Sequence, residues 1–382
     1  MIKNISEIKQ MIPVNQPFLG SPELNNVKEC IKSGWISSKG RFISRFEEEF
    51  ARFCGLKYGI TTTSGTTALH LALVALDIGA GDEVIIPDFT MIASAYAVIY
   101  TGARPVFVDS EQKTWNMDIS QVEGLITRRT KAIMPVHIYG HPVDMDPLRI
   151  LAHRYGLHII EDAAESHGAE YKGKRCGSLG DIGAFSFYAN KIITTGEGGM
   201  IVTDNRKIAQ KARRIKDLAH STQKRFLHTE LGYNYRMTNM QAAVGLAQLG
   251  RIHESIRKKR EIASLYRRNL EQITGIRLPE EEKWAMSVYW MYAFLVEKEF
   301  GMGREDLRRE LSGEGIETRD FFVPMHKQPV IRKMFPSVKN KKYPVAERIS
   351  KEGLYLPTGL ALRKKDILSV CSALKRIKEN IS

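Results

Sequence analysis

The sequence predicts an α/β fold with a mostly parallel sheet and helices on both of its faces. Between about residues 58 and 205, short β-branched runs alternate with helical patterns, an order typical of repeated strand–helix–strand units. Several of these runs lack polar alternation, as expected for strands that are buried on both sides. A chain of 382 residues is also long enough for two domains and a large core.

The predicted elements of this first region follow one another in a regular order. The strands cover residues 58–62, 83–87, 104–108, 132–135, 157–162, 182–187 and 200–203. The helices between them include residues 66–76 and 147–155. Together these elements predict a large domain built on a seven-stranded, mostly parallel sheet.

A second region begins with a capping box, in which Thr238 is followed three residues later by Gln241. The apolar helical pattern continues to about residue 273, which predicts one long helix that connects two domains. A strand-like run at 289–296, a helix at 304–312 and a proline-punctuated stretch at 321–336 follow. We therefore predict a large domain over residues 1–250 and a smaller C-terminal α+β domain over residues 251–382.

Composition points to a cytoplasmic protein. No apolar stretch approaches the ~20 residues that span a membrane, and residues 1–9 lack the apolar core and cleavage site of a signal peptide. The four cysteines have no Cys-x-x-Cys spacing, which indicates a reducing compartment and no structural metal. We expect neither a metal site nor membrane association.

The formal net charge of +14 favours either a nucleic-acid partner or anionic small molecules. The basic residues lie in short clusters spread along the chain, without a basic tail or a nucleic-acid motif. Solvated helix faces explain each cluster taken alone. We therefore expect no nucleic-acid partner.

Lys191 is the most informative single residue. It follows the apolar run at 182–187 and precedes a glycine-rich turn at 196–199, and an upstream strand ends in Glu161 and Asp162. A lysine held by packed structure and an acid at a nearby strand end suit pyridoxal phosphate (PLP): the lysine forms a Schiff base, and the acid pairs with the pyridinium nitrogen. Asp162 as the cap of a following helix is the open alternative. Because strand side chains alternate, Glu161 is expected on the opposite face in a structural role.

A second candidate feature is a helix start that follows the first predicted strand. Ser64, Gly65 and Thr66 open this helix, and N–H groups at a helix N-terminus bind anions such as phosphate. A simple helix cap explains the same residues. Beside the Lys191 segment, we interpret them as a phosphate site. His137 is either a core histidine or a neighbour of the cofactor.

With these motifs in place, the chain resembles the DegT/StrS family of sugar aminotransferases, which have the fold-type I architecture of PLP-dependent transferases. The resemblance covers nearly the whole chain and is most specific at residues 64–68, 161–167, 186–199 and 232–237. It implies transfer of an amino group from L-glutamate to a keto group of a nucleotide-linked sugar. The products of such enzymes serve surface polysaccharides such as lipopolysaccharide O-antigen, or related glycans.

Three further segments, at residues 35–40, 137–142 and 235–239, match more closely the family members that aminate GDP-4-keto-6-deoxymannose. The resemblance also implies a homodimer with shared active sites. A PLP-dependent sugar dehydratase is one alternative, but those relatives replace the lysine with histidine, so Lys191 argues against it. A regulatory or nucleic-acid-binding protein on the same fold and a non-enzymatic carbohydrate-binding protein are the others.

The resemblance implies cofactor roles for individual residues. Lys191 is the Schiff-base lysine, Asp162 pairs with the pyridinium nitrogen, and Glu165 lies near the ring hydroxyl of the cofactor. Met91 stands where the family usually has an aromatic residue that stacks on the pyridine ring, and a thioether also packs on a π face. The phosphate is expected to contact Ser64, Gly65, Thr66 and Ser186, together with Asn234 of the partner subunit.

The resemblance also implies a set of residues that face the sugar substrate. These residues come from three separate parts of the chain. They are Trp35, Ser37, His167, Arg319, Phe321 and His326.

Overall fold

A computed structural model describes residues 11–221, 223–224 and 226–381. The N-terminal stretch 1–9, from which the sequence predicts no signal peptide, lies outside the described residues. The strands are β1 Tyr58–Thr62, β2 Glu83–Pro87, β3 Arg104–Val108, β4 Thr130–Ile133, β5 His158–Asp162, β6 Glu170–Tyr171, β7 Lys174–Arg175, β8 Ile182–Ser186, β9 Gly199–Thr203, β10 Ile276–Arg277, β11 Ala285–Met286, β12 Tyr292–Val296, β13 Arg319–Asp320 and β14 Gly353–Leu356.

Helices precede, separate and follow these strands. The α-helices are α1 Ser21–Ser33, α2 Arg41–Cys54, α3 Gly65–Ala75, α4 Ala93–Tyr100, α5 Met145–Tyr155, α6 Arg206–Lys216, α7 Asn239–Leu249, α8 Ile252–Leu270, α9 Arg304–Gly313, α10 Pro329–Met334, α11 Pro344–Glu352 and α12 Lys364–Glu379. Within the part of the chain that the structure describes, none of them combines the length and the apolar character needed to cross a membrane.

The largest sheet has seven strands in the order β1-β9-β8-β5-β4-β2-β3. Strand β9 is antiparallel to both of its neighbours, β1 and β8. The pairs β8–β5, β5–β4, β4–β2 and β2–β3 are all parallel. The predicted α/β fold with a mostly parallel seven-stranded sheet is therefore confirmed. The predicted bounds of β1, β2 and β3 match the structure, and those of the other four strands differ by one or two residues at one or both ends.

The prediction of one long helix after Thr238 is wrong. Thr238 caps α7 through the predicted box with Gln241, but α7 ends at Leu249 and α8 begins at Ile252. Gly250 keeps a helical backbone, whereas Arg251 moves to φ −118°, ψ 16°. Because the apolar residues continue in step across this break, the side-chain pattern does not reveal it.

Two clusters of buried apolar side chains form the interior. The larger surrounds the seven-stranded sheet, and the smaller contains residues of α9, α12 and the second half of α8. A second sheet, in the order β10-β12-β14-β13, lies between them. On β12, Ala293 and Leu295 point into the larger cluster, while Tyr292, Phe294 and Val296 point into the smaller. The domain boundary at residue 250 stays a prediction.

Glu161 anchors the loop that precedes β8. Its buried carboxylate accepts hydrogen bonds from the backbone N–H groups of Gly177 (2.7 Å), Leu179 (2.6 Å) and Gly180 (2.7 Å). His137 lies 2.9 Å from the same carboxylate through Nε2, and its Nδ1 accepts the N–H of Val143. The position of His137 is thus that of a core histidine.

A buried charge cluster joins α2, β1 and α6. The Glu47 carboxylate lies 2.8 Å from Lys216 Nζ and 3.2 Å from an Arg213 nitrogen, and it accepts the N–H of Thr61 at 2.8 Å. Burial opposes the charge on Glu47, but the Lys216 ammonium, the Thr61 N–H and Arg213 outweigh it and lower the pKa of this carboxyl. The ionised form is therefore the stabilising form.

Glu47→Gln is expected to lower the free energy of unfolding by roughly 1.5–3 kcal/mol at pH 7, because it removes charged hydrogen bonds from a buried site. A carboxyl whose pKa is lowered by folding stabilises the protein above its unfolded pKa and loses this effect as the pH falls through its folded pKa. The difference between wild type and variant should therefore begin to shrink below about pH 4.3, the ordinary glutamate pKa, and should close only below the lowered pKa of Glu47. Chemical denaturation at several pH values measures it.

The matched control is Glu49→Gln, which removes the exposed i,i+4 pair with Arg45 on the same helix. Exposed pairs contribute little, so its expected cost is below about 0.5 kcal/mol. Equal costs for the two variants, or a Glu47 effect that persists at low pH, would contradict the assignment.

Candidate active site

Lys191 lies in the turn that follows β8, and its side chain points inward. Its backbone N–H donates to the carbonyl of Tyr188 at 2.9 Å. The amino nitrogen Nζ stands 3.7 Å from the ring centroid of Trp290. The indole N–H of Trp290 donates to the carbonyl of Asn190 at 2.8 Å, so one tryptophan contacts the lysine and also holds its neighbour in the chain.

The electrostatic environment of Lys191 combines burial with two acids. Burial lowers the pKa of the Lys191 amino group, and the negative charges of Glu165 and Asp162 oppose that shift. A lysine that attacks a carbonyl must first lose a proton. The site therefore eases deprotonation while keeping acceptors for the proton close by.

Asp162 ends β5 at the carboxyl edge of the parallel strands, where ligands of open α/β sheets bind. Its carboxylate accepts the Ser94 hydroxyl at 2.7 Å and the Ala164 N–H at 3.2 Å. Burial raises the pKa of Asp162, while these hydrogen bonds and the charge of Lys191 counteract the shift. A turn rather than a helix follows Asp162, so the alternative interpretation as a helix cap does not apply.

Glu165 is the second buried acid. It accepts the backbone N–H of Tyr139 at 2.7 Å, and Tyr139 adopts a positive φ of 52°. Burial raises the pKa of Glu165 to about 7, and the nearby Lys191 charge counteracts part of this rise. Both acids are thus desolvated next to the amino group, and a cationic ligand placed there would favour their charged forms.

The residues predicted to hold a phosphate lie side by side. Ser64 caps α3 by accepting the Thr67 N–H at 3.2 Å. Gly65 approaches the end of β8 so closely that a Cβ on it would stand 2.6 Å from the Ser186 Cβ. The N–H groups of Gly65 and Thr66 belong to the first helical turn, where no intrahelical acceptor is available. The cap therefore leaves the N–H groups of Gly65 and Thr66 available to an anion.

Part of the glycine-rich turn after Lys191 serves the packing of the chain itself. A Cβ on Gly199 would collide with the Ser64 carbonyl, and one on Gly198 would collide with Thr195. Glycine at 199 thus lets β9 come close to the turn at Ser64.

Several predicted ligand residues are exposed. The exposed fraction is 57% for Trp35 and 48% for Met91, and Ser37, Asn234 and Arg319 are also exposed. Asn239 fixes the first segment by donating to the carbonyls of Trp35 (2.7 Å) and Ser37 (2.6 Å). These side chains are free of the core and able to meet a ligand or a second subunit.

His167, which is predicted to face the substrate, is buried. Its ring packs against Phe50, Phe185 and Phe187, with centroids 5.3–6.3 Å apart. Burial and the charge of Lys191 lower the pKa of His167 to about 3. A neutral, enclosed imidazole therefore stands near Lys191, rather than on an open surface.

Phe321 and His326, which are also predicted to contact the substrate, are buried as well. Phe321 packs against Tyr139 with ring centroids 4.9 Å apart, because an apolar ring is more stable in the core. His326 is held on both sides, with Nδ1 at 2.6 Å from Asp88 and Nε2 at 3.2 Å from Glu347. Both ring nitrogens are thus engaged within the chain.

Comparison with known proteins identifies the family. A sequence profile described as the DegT/DnrJ/EryC1/StrS aminotransferase family matches residues 17–375. The chain belongs to this family.

Similar proteins cover nearly the full length of this DegT/StrS aminotransferase. GDP-perosamine synthase of Escherichia coli O157:H7 is 45% identical over 363 residues, 95% of this chain and 97% of that protein. GDP-perosamine synthase of Caulobacter vibrioides is 45% identical over 367 residues, covering 96% and 98%. The solved structure of Spr1654 from Streptococcus pneumoniae in a PLP form is 26% identical, has a TM-score of 0.90 and covers 97% and 100%. The predicted family and fold are confirmed.

Sequence reasoning missed three residues that shape the site of this DegT/StrS aminotransferase. Ser94 bonds Asp162, the Tyr139 N–H bonds Glu165, and Trp290 contacts Lys191. Each acts on a residue that lies far away in the chain, and no local pattern marks it. Only the proximity of Ser94 to the end of β2, at the sheet edge that binds ligands, offers a signal.

Proposed function

We propose that this chain is a PLP-dependent aminotransferase that moves an amino group from L-glutamate to the keto group of a nucleotide-linked sugar. The acceptor is GDP-4-keto-6-deoxymannose and the product GDP-perosamine. The observation that carries the proposal is the desolvated amino group of the half-buried Lys191 beside two buried carboxylates, Asp162 and Glu165. The 45% identity to two GDP-perosamine synthases supports the choice of sugar.

The buried groups of the site suit PLP. When bound, PLP supplies an electron sink that stabilises negative charge at the α-carbon of the amino donor. In the proposed arrangement Lys191 Nζ would hold the cofactor covalently. Once the amine of the donor has replaced it, the freed amino group would take the proton from the donor's α-carbon and deliver it to the cofactor. The Asp162 carboxylate would accept a hydrogen bond from the protonated ring nitrogen, and the hydroxyl of Ser94 keeps that carboxylate oriented. Glu165 would lie beside the ring hydroxyl.

The remaining contacts to the cofactor follow from the exposed groups. The first-turn N–H groups of Gly65 and Thr66, with the hydroxyls of Ser64 and Ser186, hold the phosphate. The thioether of Met91 would pack on the face of the cofactor ring. Asn234 completes the phosphate site of a second subunit, which makes the protein a homodimer with shared active sites.

The sugar substrate meets a different set of residues in this proposal. Three exposed residues contact it directly, namely Trp35, Ser37 and Arg319. Three buried residues support the site from the interior, namely His167, Phe321 and His326. The net charge of +14 attracts the anionic diphosphate. We place the enzyme in the cytoplasm, in keeping with four buried cysteines present as free thiols, and in the biosynthesis of surface polysaccharide such as O-antigen.

A panel of keto sugar nucleotides tests the proposal. The protein is first converted with glutamate to its aminated cofactor form, and each sugar is then mixed in while the absorbance of the cofactor is followed. GDP-4-keto-6-deoxymannose is expected to restore the starting spectrum fastest, with the dTDP- and UDP-linked 4-keto-6-deoxy sugars as matched controls. A faster reaction with a control sugar would overturn the choice of substrate. A protein that binds no PLP would overturn the proposal as a whole.

A further inference from the structure

Trp290 contacts the candidate site in two ways, through the face of its ring and through its indole N–H. Its indole face covers Lys191, with Nζ at 3.7 Å from the ring centroid. Its Nε1–H donates to the Asn190 carbonyl at 2.8 Å, and the Asn15 side chain donates to the same oxygen at 2.6 Å. The lysine and the peptide unit that precedes it are therefore both held by this one tryptophan.

The backbone of Trp290 is fixed from two sides. Its N–H donates to the Tyr139 carbonyl at 3.0 Å, in the segment whose own N–H binds Glu165. Its carbonyl accepts a hydrogen bond from Lys259 Nζ at 2.8 Å. Only 4% of Trp290 is exposed, so its ring has little freedom to move away from Lys191.

Lys259 is an unusual residue to find in an interior. It belongs to α8, is 2% exposed, and divides its hydrogen bonds between the carbonyls of Trp290 and Thr358 (2.7 Å). Burial lowers the pKa of Lys259 to about 7. Burying an amino group is costly, and here it ties the segment that carries Trp290 to the segment that follows β14.

We propose that Trp290 is a positioning residue for Lys191, and that Lys259 holds Trp290 in place. The indole face keeps the amino group at one position and attracts its charged form, as aromatic faces do with cations. The link to Lys259 transmits the position of α8 to the turn that carries Lys191. This inference rests on the proposed bonding of PLP by Lys191.

The test measures how fast the cofactor-free protein takes up PLP as a function of pH. Borohydride reduction and peptide mass mapping confirm that the bond forms at Lys191. The midpoint of the pH curve reports the deprotonation of the amino group, and the plateau at high pH reports its placement. Neither readout requires the sugar reaction.

Trp290→Leu is expected to lower the plateau rate roughly tenfold, because the amino group loses its fixed position. The midpoint should move to lower pH by about half a unit or more, because the attraction of the ring for the ammonium is lost. Trp290→Phe keeps an aromatic face and should leave the midpoint unchanged with a smaller fall in rate. Lys259→Met should lower the plateau rate without moving the midpoint.

Trp284→Phe is the matched control, since Trp284 packs against His141 and Tyr171 outside the site. It should change neither the plateau rate nor the midpoint of the pH curve. Folded Trp290 and Lys259 variants with wild-type plateau and midpoint would overturn the inference, as would an equal loss of rate in Trp284→Phe. If Trp290→Leu does not fold, the plateau rates of Trp290→Phe and Lys259→Met decide the outcome. A wild-type protein that takes up no PLP would instead refute the proposed function.

Discussion

Lys191→Ala is expected to lower the rate of the glutamate half-reaction by at least about 10³-fold, because it removes both the covalent attachment point and the group that moves the proton. The amino group of Lys191 contacts the indole of Trp290 and acts electrostatically on both Asp162 and Glu165. Stopped-flow absorbance of the cofactor after mixing with glutamate measures the rate. Borohydride treatment should label wild type at residue 191 and leave the variant unlabelled.

The control is Lys174→Ala, which removes an exposed lysine on β7. It should retain the wild-type rate and the label at residue 191. Normal transamination by Lys191→Ala would refute the assignment of this residue. A thermal unfolding midpoint close to that of wild type would show that the loss is chemical.

Asp162→Asn should lower the activity and Glu161→Gln should lower the stability, although the two residues are adjacent. Asp162→Asn is expected to reduce the glutamate half-reaction roughly 10²–10³-fold while the protein remains folded, because an amide cannot supply the negative charge that keeps the ring nitrogen protonated. Glu161→Gln is expected to lower the free energy of unfolding by roughly 3 kcal/mol, because the buried carboxylate accepts three backbone N–H groups.

Rate measurements and denaturant titrations on both variants separate the two effects. The adjacent pair is its own control, since each variant removes one negative charge from the same strand end. A stable Glu161→Gln together with an unfolded Asp162→Asn would reverse the assignments. Asp162→Asn with wild-type activity would remove this carboxylate from the proposed chemistry.

The sequence predicted the parts of the fold that depend on local chemistry. Strands such as β1 and β2 contain short β-branched runs, at residues 60–62 and 84–86, which favour strands by local propensity. The capping box at Thr238 was also predictable from the sequence. The end of α7 was not predictable, because Gly250 stays helical and the apolar spacing continues into α8.

The candidate site was predictable where a residue follows a strand end or opens a helix. Lys191, Asp162 and the Ser64 loop are of this kind, and the structure brings Asp162 and Lys191 together at one edge of the sheet. Burial at Phe321 and His326 was not predictable, because it depends on partners such as Tyr139 and Asp88 far away in the sequence. Trp290 was missed for the same reason, since its contact with Lys191 forms only in the folded chain.

The placement of β12 between the two apolar clusters has a consequence for heat denaturation. Alternate side chains of this strand insert into both interiors, and α8 contributes Ile256 to one interior and Tyr266 to the other. Melting either interior alone would strip one face of β12 and half of α8 of their packing. The chain should therefore give a single calorimetric endotherm rather than two, despite having two separate apolar clusters.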